Sequence, residues 1–270
     1  MDLVEIRRAR DGITVVEMND PPRYNSLTSK MVSELKQAFA ELRDDRATRV
    51  IVLSATEACK GFCAGANMTG DDEPIERARD RGPVGHIQML QEHLAELMVQ
   101  IHDQPQPVIA AVHGGAVGGG LALALACDLR IASEDAFFAS HFIRVGLSSC
   151  DVGTSYMLPR IVGPTIAAEL MLTGRRFHAD EAFRIGMLNR VVPREELLGA
   201  AVELGAAIAE NSEYGVYMTK IGMWLNLDAP SFRHALELEN RTQVLGCFTG
   251  NMTEAGRAFR EKRPPVWNPM

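Results

Sequence analysis

The chain has 270 residues, of which 46% are hydrophobic and 23% are charged, and its formal net charge is -7. This composition is typical of a globular protein that is long enough to bury a substantial hydrophobic core. The acidic balance gives no reason to expect a nucleic acid or an anionic membrane surface as a partner.

Targeting, membrane and metal signals are lacking in the sequence. The first residues, MDLVEIRRARDG, do not contain the apolar core of a signal peptide. The longest apolar run, 116–127, is shorter than the ~20 residues that a helix needs to cross a bilayer. The five cysteines form no even disulfide framework and lack the spacing of a zinc site. We therefore expect reduced thiols, no metal site and a cytoplasmic location.

Strand and helix patterns alternate in the first part of the chain. Short β-branched and apolar runs predict strands at 12–19, 49–55, 107–114 and 129–139. Apolar residues that recur every three or four positions predict helices at 29–45 and 86–104, the first with Thr28 or Ser29 as its N-cap. This alternation predicts an α/β architecture with a sheet of the parallel type.

The pattern changes after about Val192, because the remaining sequence reads as helices without a further convincing strand. We therefore predict a core in residues 1–195 and a helical C-terminal region in residues 196–270. The mixed-charge segment 69–85 contains glycine and lies before a predicted helix, which indicates a mobile loop.

Two glycine-rich turns directly follow predicted strands, in SATEACKGFCAGANM (54–68) and GGAVGGGLALALACD (114–128). A glycine inside a regular element costs about 0.5–1 kcal/mol relative to alanine, so the triple glycine 118–120 requires another role. Glycine lets the backbone approach a ligand closely, and a helix N-terminus directs N–H groups at negative charge. Neither turn fits the phosphate-binding pattern GxxxxGK[ST], and GGAVGGG matches the dinucleotide-binding pattern GxGxxG only loosely. A nucleotide is therefore not the expected ligand. The alternative is that these glycines only allow a helix to pack tightly.

The two turns, GFCAGANM and HGGAVGGGLALALACDLRIASEDAFF, resemble those of the enoyl-CoA hydratase/isomerase (crotonase) superfamily. The resemblance extends over nearly the whole chain, through MNDPPRYNSLTSKM, LTGRRFHADEAFRIGMLNRVVP and AGRAFREKRPPVW, in the family's order. It implies a crotonase-like spiral of ββα units and a helical C-terminal region that builds a homotrimer or hexamer. It also implies an acyl-CoA thioester as substrate, with coenzyme A as part of that substrate and no separate cofactor.

The resemblance also implies which residues form the site. In the family, two backbone N–H groups hold the thioester oxygen while it carries negative charge, and these donors correspond here to Ala66 and Gly119. Other coenzyme A contacts that the resemblance implies are made by Arg23 and Lys262 at the phosphates, by the backbone at Ala64 and Ala66 beside the adenine, and by Gly118. A single surface arginine or lysine is, alternatively, only a solvated side chain.

The sequence departs from the hydratase pattern at the two positions where family hydratases carry catalytic glutamates. Those positions are Ala122 and Phe142 here, and neither side chain can move a proton. Hydration needs one group to activate water and another to handle the α-carbon proton. The usual two-glutamate mechanism is therefore not expected.

Asp151 is the acid that remains near the predicted pocket. DVGT at 151–154 resembles dienoyl-CoA isomerases, in which this aspartate exchanges protons. The DxxTSY pattern also resembles 4-chlorobenzoyl-CoA dehalogenases, but the histidine that those enzymes use corresponds to Ala95 here. The alternative is that Asp151 caps the following helix. Further candidate acids or bases are His141, Glu92 and Glu96, each of which could equally be a structural or solvated residue.

The leading hypothesis is therefore an enzyme that shifts a double bond in, or hydrates, an acyl-CoA, with Asp151 as acid and base. Isomerisation fits a single acid best, because one carboxylate can remove a proton and return it elsewhere. The alternatives are an acyl-CoA hydrolase and a catalytically silent protein that binds coenzyme A esters.

Overall fold

Six strands form the main sheet within the part of the chain that the computed structural model describes, residues 2–68 and 80–270. In chain order they are β1 (Val4–Arg10), β2 (Gly12–Met18), β3 (Thr48–Ala55), β4 (Val108–Val112), β6 (Leu129–Ser133) and β9 (Arg190–Val192). Their order across the sheet is β1-β2-β3-β4-β6-β9, and only the β1–β2 pair is antiparallel. The α/β class with a largely parallel sheet is confirmed.

Three short strands form a second sheet: β5 (Gly115–Val117), β7 (Phe137–Ala139) and β8 (Phe177–His178). Each of β4 and β6 is followed by a short strand of this second sheet, which produces the repeated strand–strand–helix unit of the spiral. The single strand predicted at 129–139 is wrong, because the chain turns after Ser133 and enters the other sheet at Phe137. The Asp135 carboxylate accepts a hydrogen bond from the Ser133 hydroxyl at this turn.

Helices connect the strands of the core, and the last part of the chain is helical. The helices are α1 (Ser29–Arg43), α2 (Pro83–His102), α3 (Gly119–Ala126), α4 (Thr154–Val162), α5 (Pro164–Thr173), α6 (Ala179–Arg184), α7 (Leu197–Ala209), α8 (Glu213–Leu227), α9 (Phe232–Cys247) and α10 (Asn251–Glu261). The predicted cap of α1 is confirmed, since the Thr28 hydroxyl accepts a hydrogen bond from the Met31 N–H. Of the predicted loop 69–85, residues 69–79 lie outside the described residues, and α2 already begins at Pro83.

Sequence reasoning missed strand β1. Val4 is buried and Ile6 partly buried, but the rest of the strand is exposed and rich in arginine. Strand β1 lies at the edge of the sheet and pairs with one neighbouring strand, β2. Its charged side chains disfavour pairing of the open edge with a strand of another molecule. An edge strand of this kind has too few apolar positions to give a clear alternating pattern.

The main sheet is covered on both faces, which explains its nearly continuous apolar strands. On one face α1, α2 and α3 contribute to a large core whose fully buried members include Phe39, Phe62, Phe138 and Phe177. On the other face α7 lies across the strands and packs Leu197 and Ala201 against Ile13, Val50, Val52 and Ile109.

The C-terminal helices are tied to the core by a buried ion pair. The ammonium group of Lys220 in α8 lies 2.7 Å from the Asp128 carboxylate, and both side chains are almost completely buried. The same carboxylate accepts a hydrogen bond from the Val108 N–H at the start of β4. The predicted helical C-terminal region is present, with α7 packed on the sheet, while the boundary at residue 195 stays a prediction. Among the described helices, none has both the length and the apolar character needed to cross a membrane.

Glu254 holds the C-terminal segment onto α10. Its carboxylate is buried and accepts hydrogen bonds from Arg263, from the backbone N–H of Val266 and from Arg257. These donors, with Arg263 the strongest, lower the pKa of Glu254 from its usual value of 4.5 to about 2.

We expect Glu254→Gln to lower the free energy of unfolding at pH 7, because the ionised form of Glu254 is the form that the arginines stabilise. A carboxyl group whose pKa is lower in the folded than in the unfolded state stabilises the fold. This contribution is complete above the unfolded-state pKa and is lost as the pH falls through the folded-state pKa. The difference between wild type and Glu254→Gln should therefore shrink between pH 4.5 and about 2. Urea unfolding at a series of pH values measures this difference.

Glu261→Gln is the matched control, because the exposed Glu261 pairs with the same Arg263 and should contribute little. A Glu254→Gln difference that stays constant on acidification would contradict this account.

Candidate active site

The two glycine-rich turns pack against each other through their backbones. The Cys63 N–H donates to the Gly115 carbonyl at 3.0 Å, and the Val117 N–H donates to the Cys63 carbonyl at 3.0 Å. The Phe62 N–H donates to the His113 carbonyl at 2.8 Å. These bonds fix the turn that follows β3 against the turn that follows β4, although 50 or so residues separate them in the sequence.

Four of the glycines are required by this close approach, namely Gly61, Gly65, Gly114 and Gly120, and the last two make the closest contacts. A Cβ on Gly120 would lie only 2.1 Å from the carbonyl oxygen of Cys63, and one on Gly114 would lie 2.3 Å from that of Lys60. Both obstacles are backbone atoms, so they could not move without separating the two turns. Tight packing, the alternative reading of the glycines, therefore explains Gly114 and Gly120.

Gly118 and Gly119 have other roles. Gly118 adopts φ 54° and ψ -116°, a conformation that side chains rarely tolerate, and its N–H donates to the Ala139 carbonyl at 2.9 Å. Gly119 is the first residue of α3, so its N–H has no partner within the helix. The turn at Gly118 therefore aims the first N–H of α3 away from the helix.

The backbone N–H groups of Ala66 and Gly119 lie close together. A Cβ built on Gly65 would lie 3.1 Å from the Gly119 nitrogen, and one built on Gly119 would lie 3.7 Å from the Ala66 nitrogen. Within the described residues, neither N–H donates a hydrogen bond to another group of the chain. The partial positive charge at the N-terminus of α3 adds to the attraction that such a pair exerts on an anion.

The walls beside these donors are apolar. All eight residues of α3 are buried, among them Ala122 at one of the two glutamate positions of family hydratases. Phe142 is at the other position and is also buried, with its ring 3.7 Å from the point where a Cβ on Gly118 would lie. Neither position can therefore supply a carboxylate.

Asp151 lies in the turn before α4 and is partly buried. Its side chain accepts a hydrogen bond from the Nε2 of Gln91 in α2. The alternative role of Asp151, as a side-chain cap of the helix, is wrong: Gly153 is the N-cap residue, and α4 has no side-chain cap. The reason is the backbone, since Val152 at φ 37° and Gly153 at φ 86° are both left-handed and separate Asp151 from the helix start.

Asp151 is joined to helices that pack against the helix beginning at Gly119. Both α2 and α4 pack against α3, whose first residue is Gly119. The hydrogen bond from Gln91 joins α2 to the turn that leads into α4. Asp151 is therefore linked to two helices that both pack against α3. For a β-branched residue such as Val152, φ 37° is strained, and such strain is found preferentially at functional sites.

The segment that contains Arg23 is held against the first glycine turn. The Ala64 N–H donates to the Tyr24 carbonyl at 3.0 Å, and the Leu27 N–H donates to the Gly65 carbonyl at 2.7 Å. The structure therefore brings the exposed Arg23, which lies 3.8 Å from Asp20, together with Ala64 and Ala66.

Lys60 is a cation in this neighbourhood that sequence reasoning missed. Its ammonium group lies 5.8 Å from the centroid of the Tyr24 ring, next to Arg23 in the chain. Its position inside the first glycine-rich turn was the available signal.

The remaining candidates lie on other elements of the fold. Lys262 is exposed at the end of α10, which packs on α9. Glu92 is exposed and accepts a hydrogen bond from Gln88 of the same helix, while Glu96 pairs with Lys36 at 2.5 Å. His141 is half-buried at the start of a short 3₁₀ turn, and burial, followed by Arg176 and Arg144, lowers its pKa.

Comparison with known proteins identifies the family. The enoyl-CoA hydratase/isomerase family model matches residues 8–269. The probable enoyl-CoA hydratase EchA12 of Mycobacterium tuberculosis is 38% identical, over 99% of this chain and 93% of its own length. The crystal structure of a probable enoyl-CoA hydratase/isomerase from Mycobacterium abscessus is 38% identical, with a TM-score of 0.91 over 98% of each chain.

A further solved structure is that of a monofunctional enoyl CoA isomerase from M. smegmatis. It is 36% identical and has a TM-score of 0.73, over 87% of this chain and 99% of its own. The resemblance that the glycine turns indicated is confirmed by these matches. The chain belongs to the enoyl-CoA hydratase/isomerase family.

Proposed function

We propose that this protein isomerises a double bond in an acyl-CoA thioester, with Ala66 and Gly119 as oxyanion donors and Asp151 as the acid and base. The observation that carries this proposal is the pair of adjacent, unused N–H groups of Ala66 and Gly119. Ala122 and Phe142 are buried and carry no acid, and we propose that Asp151 transfers the proton in their place.

The proposed reaction needs one carboxylate and one oxyanion site. Asp151 removes a proton from C2 of a 3-enoyl-CoA, and the electron pair of that C–H bond forms an enolate whose charge lies on the thioester oxygen. The N–H groups of Ala66 and Gly119 hold that oxygen. The protonated carboxyl then returns the proton to C4, and the double bond moves from C3–C4 to C2–C3 without a change in mass.

Removal of a single oxyanion donor typically slows an enzyme by about 10²–10³-fold. In free energy, this loss of rate is larger than the cost of placing glycine instead of alanine in a regular element. The apolar wall formed by Phe142 and α3 supports the same chemistry, because hydrogen bonds to an enolate oxygen are stronger where water is excluded. Hydration, which needs a second group to activate water, has less support at this site.

We propose that the coenzyme A part of the substrate lies along the segment at Arg23 and the turn at Ala64. The hydrogen bonds between these segments support this placement, and Lys60 is a further cation beside it. The roles of Gly118 and Lys262 in binding coenzyme A, and the cytoplasmic location, stay predictions.

We propose further that the protein assembles as a homotrimer or hexamer through its C-terminal helices. Several large apolar side chains of these helices are exposed, including Phe232, Phe248, Met252 and Phe259. Large exposed apolar patches mark interaction sites, and these side chains supply the apolar groups that an interface needs.

Asp151→Asn tests the proposed role of the carboxylate. We expect wild type to convert a 3-enoyl-CoA to the conjugated 2-enoyl-CoA, and the variant to lose at least about 10²-fold of this rate, because an amide cannot accept the proton. Absorbance of the conjugated thioester follows the reaction, and mass spectrometry checks that the mass is unchanged. Crotonyl-CoA and a saturated acyl-CoA are assayed in parallel.

Each possible result of these assays indicates a different function. Water addition to crotonyl-CoA that depends on Asp151 would replace isomerisation by hydration, and release of free coenzyme A would indicate a hydrolase. Binding of the thioesters without turnover would favour a silent binding protein. Unchanged isomerisation by Asp151→Asn would refute the role of Asp151.

Gly119→Ala and Gly120→Ala separate catalysis from packing. A Cβ on Gly119 would lie 2.8 Å from the end of the Leu27 side chain, which can shift, so the variant should fold, but this Cβ would also lie 3.7 Å from the Ala66 nitrogen, beside the proposed oxyanion site. We expect kcat/KM to fall by about 10- to 100-fold with little loss of stability, because the N–H donor remains but the added methyl group displaces the thioester oxygen from it. Gly120→Ala should instead destabilise the fold by about 1–3 kcal/mol, because its Cβ meets the Cys63 carbonyl.

Gly199→Ala is the control, because nothing lies within 4 Å of its Cβ position. Thermal unfolding and steady-state rates of the three variants measure both effects. A fully active Gly119→Ala enzyme would count against an oxyanion site at this position.

A further inference from the structure

Gln91 interrupts an apolar stripe on α2. Residues Ile87, Leu94, Met98 and Ile101 recur at helical spacing, and Gln91 lies in the same series. The later members of this stripe are progressively buried in the core, whereas Ile87 and Gln91 are both exposed in the first half of the helix. Gln91 therefore lies where the stripe leaves the core, and its polar side chain is free to contact a neighbouring element.

The partner of Gln91 is the Asp151 carboxylate, 60 residues away in the sequence. Within the described parts of the chain, no other side chain donates a hydrogen bond to that carboxylate. Because Gln91 is exposed and the pair is only partly buried, the bond contributes little to the stability of the fold. Its effect is instead on the orientation of the carboxylate.

The chemistry of an amide suits this task. The Gln91 amide donates hydrogen bonds but does not titrate, so it can hold a carboxylate without competing for the proton that the carboxylate must exchange. The hydrogen bond reaches Oδ1 of Asp151 and leaves Oδ2 for another partner. It also connects α2 with the turn at Val152, whose backbone is strained.

We propose that Gln91 is a positioning residue, which holds Oδ1 of Asp151 so that Oδ2 faces the carbon atoms between which the proton moves. This inference rests on the proposed function of Asp151. Gln91 touches no reacting atom in this scheme and acts only through the carboxylate.

Gln91→Met tests the proposal, because methionine has a similar length but no donor. We expect kcat to fall by about 10- to 100-fold, since misplacement of a reacting group by about 1 Å can cost up to 10²-fold. KM and the melting temperature should change little, because the contact binds no substrate and adds little stability. The measurements are steady-state kinetics with a 3-enoyl-CoA and thermal unfolding.

Gln100→Met is the matched control on the same helix. The Gln100 amide donates to the Lys36 carbonyl at 2.8 Å and should contribute to structure alone. This variant is expected to keep the kcat of wild type even if its melting temperature falls.

The double variant Gln91→Met/Asp151→Asn decides whether Gln91 acts through Asp151. Residual turnover, measured at high enzyme concentration, should equal that of Asp151→Asn alone, because the group that Gln91 orients is gone. An unchanged kcat in Gln91→Met, or a loss of the same size in the presence and absence of Asp151, would overturn the proposal. Full activity of Asp151→Asn would refute the proposed function itself, and this inference with it.

Discussion

The close packing of the two glycine turns is the constraint on which the rest of the candidate site depends. The α-carbon of Gly120 approaches the Cys63 carbonyl so closely that no side chain fits between them, and Gly114 has the same relation to Lys60. This contact fixes where α3 begins relative to the first turn. The Ala66 and Gly119 N–H groups are neighbours only because that distance is fixed.

In this arrangement the backbone and the side chains have different roles. The backbone supplies the polar groups that attract an anion, and the surrounding side chains of α3 and Phe142 supply an apolar environment. In the proposed mechanism, proton transfer comes from a side chain on a separate element, namely Asp151 in the turn before α4. The hydrogen bond from Gln91 joins that turn to α2.

Local patterns predicted much of the core but little of what orients the acid. Strands β2, β3 and β4 and the Thr28 cap could be read from apolar periodicity and capping chemistry, because those signals lie within a few residues. Strand β1 was missed because an edge strand is mostly polar, and 129–139 was read as one strand because a change of sheet leaves apolar alternation intact. The hydrogen bond from Gln91 to Asp151 joins residues 60 positions apart, and the left-handed Val152 has no signal in residue type.

The most direct test of the central claim is a crystal structure of the protein with acetoacetyl-CoA, an enolisable thioester. The account predicts that the thioester oxygen lies about 2.7–3.2 Å from the backbone nitrogens of both Ala66 and Gly119. It also predicts that a carboxylate oxygen of Asp151 faces the acyl carbon next to the thioester. A thioester oxygen bound elsewhere, or an Asp151 carboxylate turned away from the acyl chain, would contradict it.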